Sequence, residues 1–208
     1  MLGGWTPKRS PSLSFYLTID DGPSGYTTAA LLEILRAYDM RATFFWVWSR
    51  FRAEKTPHLL QSLLHEGHTL GLHGLAHLRP WRMFPWQVRQ SLRYAHLFWQ
   101  EVGAPPLLYY RPPYGQHYPR TLPKGLRIVW WDLMPPDFRR GGTWSRELLR
   151  RLRPGDIVVL HERRENIPEW KAFFSAAYER GWKALPLPQE AVVLHSEPHP
   201  PLTEESHP

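Results

Sequence analysis

Short runs of β-branched and aromatic residues alternate along the chain with longer segments in which apolar residues recur every three or four positions. The short runs predict seven strands, over residues 15–19, 42–48, 68–72, 107–110, 126–131, 156–160 and 182–187. The longer segments predict helices over residues 27–38, 85–102, 144–152 and 168–178. Repeated strand–helix–strand order indicates parallel strands joined by helical crossovers, either in an open doubly wound sheet or in a closed β/α barrel.

Polar residues at the ends of the predicted strands favour the barrel. They are Asp20, Asp21, His73, His77, Arg111, Asp132, Asp137 and His161. In a β/α barrel the carboxyl ends of all strands face one rim, so residues far apart in sequence converge there. An open sheet usually carries a glycine-rich phosphate loop after its first strand, whereas this chain has acids at that place. We therefore expect an α/β fold, a distorted (β/α) barrel of about seven parallel strands that is similar to a TIM barrel.

The predicted strands and helices define one folded domain, residues 14–187, between an N-terminal extension (1–13) and a proline-rich tail (188–208). No apolar run approaches the ~20 residues of a membrane span. The first residues show no apolar segment behind a basic one, and hence no visible secretory signal. The sequence as it stands predicts a cytoplasmic protein, or a secreted or cell-wall-associated one if the true start lies upstream.

Composition excludes several kinds of chemistry. With no cysteine, the chain has no disulfide, thiolate zinc site, cysteine-held cluster or cysteine nucleophile, so any metal must be bound by His, Asp or Glu. The net charge of +7 favours anionic partners. Nucleic acid is the weaker interpretation, because the arginine pairs are dispersed and no nucleic-acid-binding motif accompanies them. The arginine-rich composition, with one asparagine and 22 prolines, resembles that of thermophile proteins.

Two local patterns are candidates for a metal site. Asp20 and Asp21 are adjacent carboxylates at a strand end, where repulsion calls for a cation or a positive neighbour. His73 and His77 lie four residues apart after another strand. The aspartate pair alone is also consistent with an ordinary turn. In a chain with 11 histidines, two of them can lie four residues apart by chance. Together, two imidazoles and one carboxylate suit Zn²⁺, Co²⁺, Fe²⁺ or Ni²⁺ and leave coordination positions open.

His65 and His68 are weaker candidates for metal binding. His65 is expected to end a helix, where the helix dipole favours a cation, and His68 is expected to open a strand.

Five ordered motifs resemble those of the NodB-homology polysaccharide deacetylases, carbohydrate esterase family 4. They occupy residues 18–23, 67–77, 111–115, 131–138 and 157–161. Each motif is weak alone, but their order and their spacing at successive strand ends are specific. The resemblance implies a distorted β/α barrel that removes N-acetyl groups from amino sugars by metal-assisted hydrolysis.

The resemblance also implies roles for individual residues. The metal ligands would be Asp21, His73 and His77, with zinc the most common metal and cobalt or nickel as alternatives. The catalytic group would comprise Asp20 as general base, His161 as general acid, Arg111 orienting Asp20, and Asp137 tuning His161. The backbone N–H of Tyr114 would stabilise the oxyanion, and Pro113, Phe138 and Val159 would join it in the substrate-binding site.

These roles agree with the chemistry of amide hydrolysis, which needs an activated water, a stabilised tetrahedral oxyanion and a proton for the departing amine.

Three positions depart from the family pattern. Gly74 stands where Ser or Thr is usual, Phe138 stands where Trp is common, and Ile19 replaces Phe. None of them removes an expected ligand, base or acid, so we expect an active enzyme.

Aromatic residues suggest a carbohydrate partner. The candidates for stacking on sugar rings at the rim are Trp48, Trp81, Trp86, Trp144 and Tyr114, while Trp46, Trp130 and Trp182 are expected in the core.

The expected function is a metal-dependent N-deacetylase of N-acetylglucosamine-containing polysaccharide or oligosaccharide. The alternatives are a non-catalytic glycan-binding module, a deacetylase or amidase of a small intracellular amide, and a nucleic-acid binder. Oligomeric state is not predicted by the sequence.

Overall fold

The computed structural model describes residues 13–54, 57–118, 120–139 and 143–189. Its strands are β1 (Ser14–Asp20), β2 (Thr43–Trp46), β3 (Thr69–Leu72), β4 (Tyr109–Tyr110), β5 (Arg127–Ile128), β6 (Ile157–His161) and β7 (Lys183–Leu185). Its α-helices are α1 (Gly25–Ala37), α2 (Trp48–Glu54), α3 (Pro57–His65), α4 (Pro85–Glu101), α5 (Ser145–Arg151) and α6 (Ile167–Glu179). Single turns of 3₁₀-helix occupy Pro80–Arg82, Pro113–Gly115 and Arg164–Asn166.

All seven predicted strands and all four predicted helices are present, with shifted ends. The strand predicted over residues 42–48 was wrong at its end, because Trp48 begins α2 instead of closing β2. Helix α2 was not predicted, since its seven residues bury only Trp48 and Phe51 and offer too little periodicity to detect. Helix α3 ends at His65, as expected.

The sheet is parallel throughout and curls into a barrel. Its strand order is β5-β4-β3-β2-β1-β6, and β7 pairs with the beginning of β1. The chain that contains β5 continues to Leu133, which forms a parallel bridge with Val158 of β6. This segment therefore contacts β4 at its start and β6 at its end, so the backbone ladder passes around the barrel, and the predicted distorted (β/α) barrel is confirmed.

Two apolar layers surround the barrel wall. On its outer face, Phe15, Leu17 and Ile19 of β1 are fully buried in the core that the sheet shares with the helices. A smaller interior cluster contains Phe45, Tyr109, Val129, Ile157 and Leu187. Because side chains alternate along a strand, Thr18 and Asp20 point away from the Phe15, Leu17 and Ile19 face and into the barrel. The apolar cluster lies inside the barrel, and the guanidinium of Arg111 rests directly on it, 4.5 Å from the centre of the Phe45 ring.

The predicted extension (1–13) and tail (188–208) lie outside the described residues except for Leu13, Pro188 and Gln189. None of the helices in the described ranges combines the length and apolar character that a membrane span requires.

Candidate active site

The carboxyl-end rim brings together the polar residues that were predicted to meet there, with one exception. The prediction was wrong for Asp132, which lies beside the amino end of β6, where its Oδ2 accepts from the backbone N–H of Ile157 at 2.8 Å. Asp20 ends β1 and His161 ends β6, and the two are direct partners in the parallel ladder. Paired residues of neighbouring strands project to the same side of the sheet, so a carboxylate and an imidazole lie side by side at this rim.

Asp20 is held by a fully buried arginine. The Nη1 of Arg111 donates to Asp20 Oδ1 at 2.9 Å and to Thr18 Oγ1 at 2.6 Å. Its Nε donates to the carbonyl of Val129 at 3.1 Å, and its Nη2 to the carbonyl of Trp130 at 3.0 Å. Burial lowers the pKa of Arg111, and the Asp20 carboxylate opposes that shift. The dense set of acceptors fixes the guanidinium, which in turn fixes the orientation of Asp20.

Asp21, His73 and His77 form a compact cluster, with one potential ligand atom of each within 4.8 Å of the others. Asp21 Oδ1 lies 3.4 Å from His73 Nε2 and 2.9 Å from His77 Nε2. Burial alone raises the pKa of Asp21, but the two imidazoles outweigh burial and hold that pKa well below its ordinary value. The cluster therefore presents an ionised carboxylate between two imidazole rings.

The donor chemistry of this cluster fits a divalent metal ion. The Nδ1 of His73 lies 2.8 Å from the carbonyl of Arg111, which can only accept, so in the neutral ring the proton sits on Nδ1 and the lone pair on Nε2. That lone pair faces Asp21 Oδ1, which is buried and has no hydrogen-bond partner among the described residues. Two facing electron-rich atoms favour a cation between them, and two imidazoles with a carboxylate suit zinc, cobalt or nickel.

His161 is paired with Asp137. The Nδ1 of His161 donates to Asp137 Oδ1 at 2.8 Å, and the backbone N–H of His161 donates to Asp137 Oδ2 at 2.6 Å. Burial lowers the pKa of His161, but the carboxylates of Asp137, Asp20 and Asp21 outweigh burial and raise that pKa above its ordinary value. The pairing uses Nδ1 and leaves Nε2 as the ring atom that can exchange a proton with a substrate.

The remaining expected site residues surround these groups. The Tyr114 ring lies 4.6 Å from that of His77, and Tyr114 has φ 58, a left-handed conformation that non-glycine residues rarely adopt. Pro113 is buried directly before it. Phe138 is exposed, with its ring 6.0 Å from that of His161. Val159 is fully buried in β6, two residues before His161 and on the same side of the strand.

Gly74 has a local reason for departing from the family pattern. Its φ is 101, a conformation that residues with a side chain rarely adopt, and an added Cβ would lie 3.3 Å from the carbonyl oxygen of Ala76. The backbone therefore takes a turn between His73 and His77 that glycine permits without strain.

Sequence reasoning missed Glu162, a buried carboxyl behind the site. Its Oε1 accepts from the backbone N–H of Ser24 at 2.8 Å and from the hydroxyl of Thr28. Burial raises its pKa to about 7. A Cβ at Gly22 would clash with Glu162 Oε2 and lie 2.6 Å from the fully buried ring of Trp46, so a larger residue in the turn after Asp21 would have to displace both side chains. The sequence feature that could have identified Glu162 is its position directly after His161, at the end of a predicted strand.

Asn166, the one asparagine of the chain, was also missed. Its side-chain amide donates to the carbonyl of Asp137 at 3.0 Å and to that of His161 at 3.2 Å. It is 5% exposed and thus ties together the two loops that carry the imidazole–carboxylate pair. A buried asparagine has no sequence signature of its own, because its contacts arise only after folding.

The aromatic predictions were partly right. Trp81, Trp86 and Tyr114 are exposed, and Trp46 is fully buried, as expected. The assignment of Trp48 and Trp144 to the rim was wrong, since both are buried. Trp48 stacks on Phe98, and Trp144 packs against Phe173, so these rings fill spaces between helices.

Comparisons with known proteins agree with this geometry. The family model described as polysaccharide deacetylase matches residues 8–127. The chain is 30% identical over 154 residues to a peptidoglycan-N-acetylglucosamine deacetylase of Bacillus cereus, covering 70% of this chain and 71% of the relative. It is also 30% identical over 202 residues to a chitooligosaccharide deacetylase of Bradyrhizobium sp., covering 86% of this chain and 91% of the relative.

A solved structure shows the same fold. The peptidoglycan deacetylase PdaC from Bacillus subtilis superposes with a TM-score of 0.79 at 22% sequence identity, covering 85% of this chain and 89% of that chain. The family match and the relatives at 30% identity, together with the fold, lead to one conclusion: the chain belongs to the polysaccharide deacetylase family.

Proposed function

We propose that this protein is a metal-dependent hydrolase that removes N-acetyl groups from N-acetylglucosamine-containing polysaccharide or oligosaccharide. The observation that carries the proposal is the convergence, at one rim, of the Asp21–His73–His77 cluster with two oriented proton-transfer groups, Asp20 and His161. The names of the Bacillus cereus and Bradyrhizobium relatives support N-acetylglucosamine as the sugar that is deacetylated.

Asp21, His73 and His77 would hold the metal ion, with zinc expected and cobalt or nickel as alternatives. When bound, such an ion polarises the acetyl carbonyl and lowers the pKa of a water molecule. The chain's own contribution is to orient the ligands, since the carbonyl of Arg111 fixes the tautomer of His73 through its Nδ1.

Asp20 acts as the general base. Its carboxylate is paired with Arg111 at 2.9 Å, which holds it in a fixed direction. It takes a proton from the water whose oxygen attacks the acetyl carbonyl carbon. The attack forms a tetrahedral intermediate, and the backbone N–H of Tyr114 is the proposed donor to its oxyanion.

His161 acts as the general acid. Its raised pKa keeps the ring protonated nearer to neutral pH, and its Nε2 is the free ring atom. As the C–N bond breaks, the Nε2 proton passes to the departing nitrogen, which leaves an amine on the sugar and free acetate. Phe138 and Val159, which flank His161, are proposed to border the acetyl group, and Pro113 to support the turn of Tyr114.

The test is acetate release from N-acetylglucosamine oligomers of several lengths. The protein is stripped of metal with a chelator and reloaded with Zn²⁺ or Co²⁺, and Asp20→Asn serves as the inactive control. Release that requires metal and disappears in the control is the expected result. If the reloaded protein binds metal and oligomer without releasing acetate, it is a glycan-binding module and the proposal is wrong.

A further inference from the structure

The segment from Gly67 to Gln100, which runs from just before β3 to the next-to-last residue of α4, has no acidic residue. The same segment has four arginines: Arg79, Arg82, Arg89 and Arg93. None of the four has an ion pair with any described residue. Helix α2 packs against α4, but its acid Glu54 accepts from the backbone N–H of Gly25 at 3.2 Å. The four arginines are therefore not ion-paired with the acids nearest to them in the described structure, which include Glu101 at the end of α4.

Large aromatic side chains lie exposed among these arginines. Trp81, Phe84, Trp86 and Tyr94 are exposed although each has a large apolar area. On the outer face of α4 an open cleft of about 300 Å³ is lined by Trp86, Arg89, Gln90, Arg93, Tyr94 and Leu97. Helix α4 buries a different set of residues, Val88, Leu92, Ala95 and Trp99, against the core. The cleft therefore lies on the helix face that folding leaves uncovered.

The surface formed by these arginines and aromatic rings begins at the candidate active site. The guanidinium of Arg79 lies 4.3 Å from the centre of the Tyr114 ring, which itself contacts His77. The ring of Trp81 meets that of Tyr118 at 4.6 Å. A guanidinium that rests on a ring is oriented by it while its N–H groups stay free for an anion. From there the chain passes through Trp81 and Phe84 directly into α4.

We propose that residues 79–97 bind a glycan chain that carries carboxylates, beyond the sugar that is deacetylated. Exposed rings stack on the faces of pyranose sugars, and arginines pair with carboxylates in a planar, bidentate geometry. A neutral glycan would use the rings alone, and an anionic membrane surface would use chiefly the charge. Single-stranded nucleic acid also combines stacking with charge, so it is an alternative that the test includes. The combination, continuous with the catalytic rim, matches an acidic sugar chain. This inference rests on the proposed deacetylase function and names its substrate class.

The test compares three substrates. They are the N-acetylglucosamine trimer, which is short and neutral; glycol chitin, which is long and neutral; and peptidoglycan strands stripped of stem peptides, which are long and carry a carboxylate on every second sugar. The variants are Arg89→Gln with Arg93→Gln, and Trp86→Ala. The matched control is Arg180→Gln, an exposed arginine just after α6 at the opposite end of the barrel.

In the double arginine variant we expect KM for the carboxylate-bearing strands to rise about three- to tenfold, with kcat unchanged. Its KM for glycol chitin and for the trimer should change less than about twofold. The Trp86→Ala variant should raise KM for both long substrates by about threefold, because stacking does not depend on charge. The control should match the wild type on all three substrates.

Several results would overturn the inference. They are an unchanged KM for the strands, an equal rise with glycol chitin in the arginine variant, or an equal rise in the control. Direct titration of the Asp20→Asn protein with the same strands separates this result from the proposed function. If no variant or wild-type protein releases acetate but the arginine variant still binds the strands three- to tenfold more weakly, the deacetylase proposal fails and the binding surface stands. If DNA or anionic vesicles bind as tightly as the strands, the surface is not specific for glycan.

Discussion

The candidate catalytic rim has two halves, named here for the roles proposed for them: a proton-transfer half and a metal-binding half. The halves differ in how completely the protein satisfies its own polar groups. In the proton-transfer half, Asp20 pairs with Arg111 and His161 pairs with Asp137, each at normal hydrogen-bond distance. In the metal-binding half, the buried Asp21 Oδ1 has no hydrogen-bond partner among the described residues, and a ring lone pair of His73 faces it. In the proton-transfer half, folding alone therefore provides every charged group with a partner. In the metal-binding half, folding places electron-rich atoms next to one another, and this arrangement favours binding of a cation.

The sharpest test of this contrast uses the adjacent residues Asp20 and Asp21. Both Asp20→Asn and Asp21→Asn should lower kcat by roughly 10³-fold, the first by removing the base and the second by removing a ligand. Only Asp21→Asn should also lose tight Zn²⁺ binding in calorimetric titration. Equal metal affinity in the two variants would contradict the division of the rim into two halves.

A second prediction concerns the electrostatic part of the proton-transfer half. Asp137→Asn removes the charge that contributes to the raised pKa of His161, so that pKa should fall. Because the proposed mechanism requires the protonated His161 ring, the alkaline limb of the kcat/KM profile should move to lower pH. We expect kcat at neutral pH to fall by roughly 10²-fold. Glu147→Gln on the exposed face of α5 is the control, and an unmoved alkaline limb would argue against His161 as the acid.

A third prediction concerns the pH dependence of protein stability that the buried carboxyl of Glu162 causes. Burial raises the pKa of Glu162 from 4.5 to about 7, so the folded protein holds a proton that the unfolded chain has lost across this interval. The free energy of unfolding should therefore fall as pH rises from 4.5 to about 7, by at most roughly 3 kcal/mol.

Glutamine at position 162 keeps an acceptor for Ser24 and Thr28 but cannot ionise. Urea unfolding at pH 5 and pH 8 should show a smaller difference for Glu162→Gln than for the wild type. An unchanged difference would mean that another group is responsible.

The smallest effect is expected at Asn166. Its replacement by Ala leaves two buried carbonyls without their amide donor, which should cost about 1–2 kcal/mol of unfolding free energy. Since the Asp137–His161 hydrogen bonds remain, kcat should fall only a few-fold. A loss of kcat as large as that of Asp137→Asn would show that Asn166 does more than tie the two loops together.

Sequence reasoning predicted the strands and the grouping of Asp21, His73 and His77 because both leave local signatures. Buried parallel strands are short apolar runs, and the residues after them face one rim, so Asp21, His73 and His77 could be grouped before their distances were known. Sequence reasoning failed where one sequence pattern is compatible with two different structures. Trp48 continues an apolar run yet begins a helix, and Trp144 is as aromatic as the exposed Trp86 yet packs against Phe173.

The supporting residues Glu162 and Asn166 lay beyond sequence reasoning for another reason. Each acts through contacts with segments distant in the chain: Glu162 with Ser24 and Thr28, and Asn166 with Asp137. No local periodicity encodes such contacts, because they depend on how the loops of different strands meet at the rim.

The sequence by itself determined the strand and helix order, the types of residue available to bind a metal, and the carboxyl-end positions of the proposed catalytic groups. These are properties of hydrophobic periodicity and of parallel-strand geometry, which are local or generic. Only the tertiary structure decided that Leu133 bridges to β6, that Arg111 is fully buried against Asp20, and that Trp86, Arg89 and Arg93 share an uncovered face. These depend on which surfaces remain after packing, and packing is a property of the whole chain.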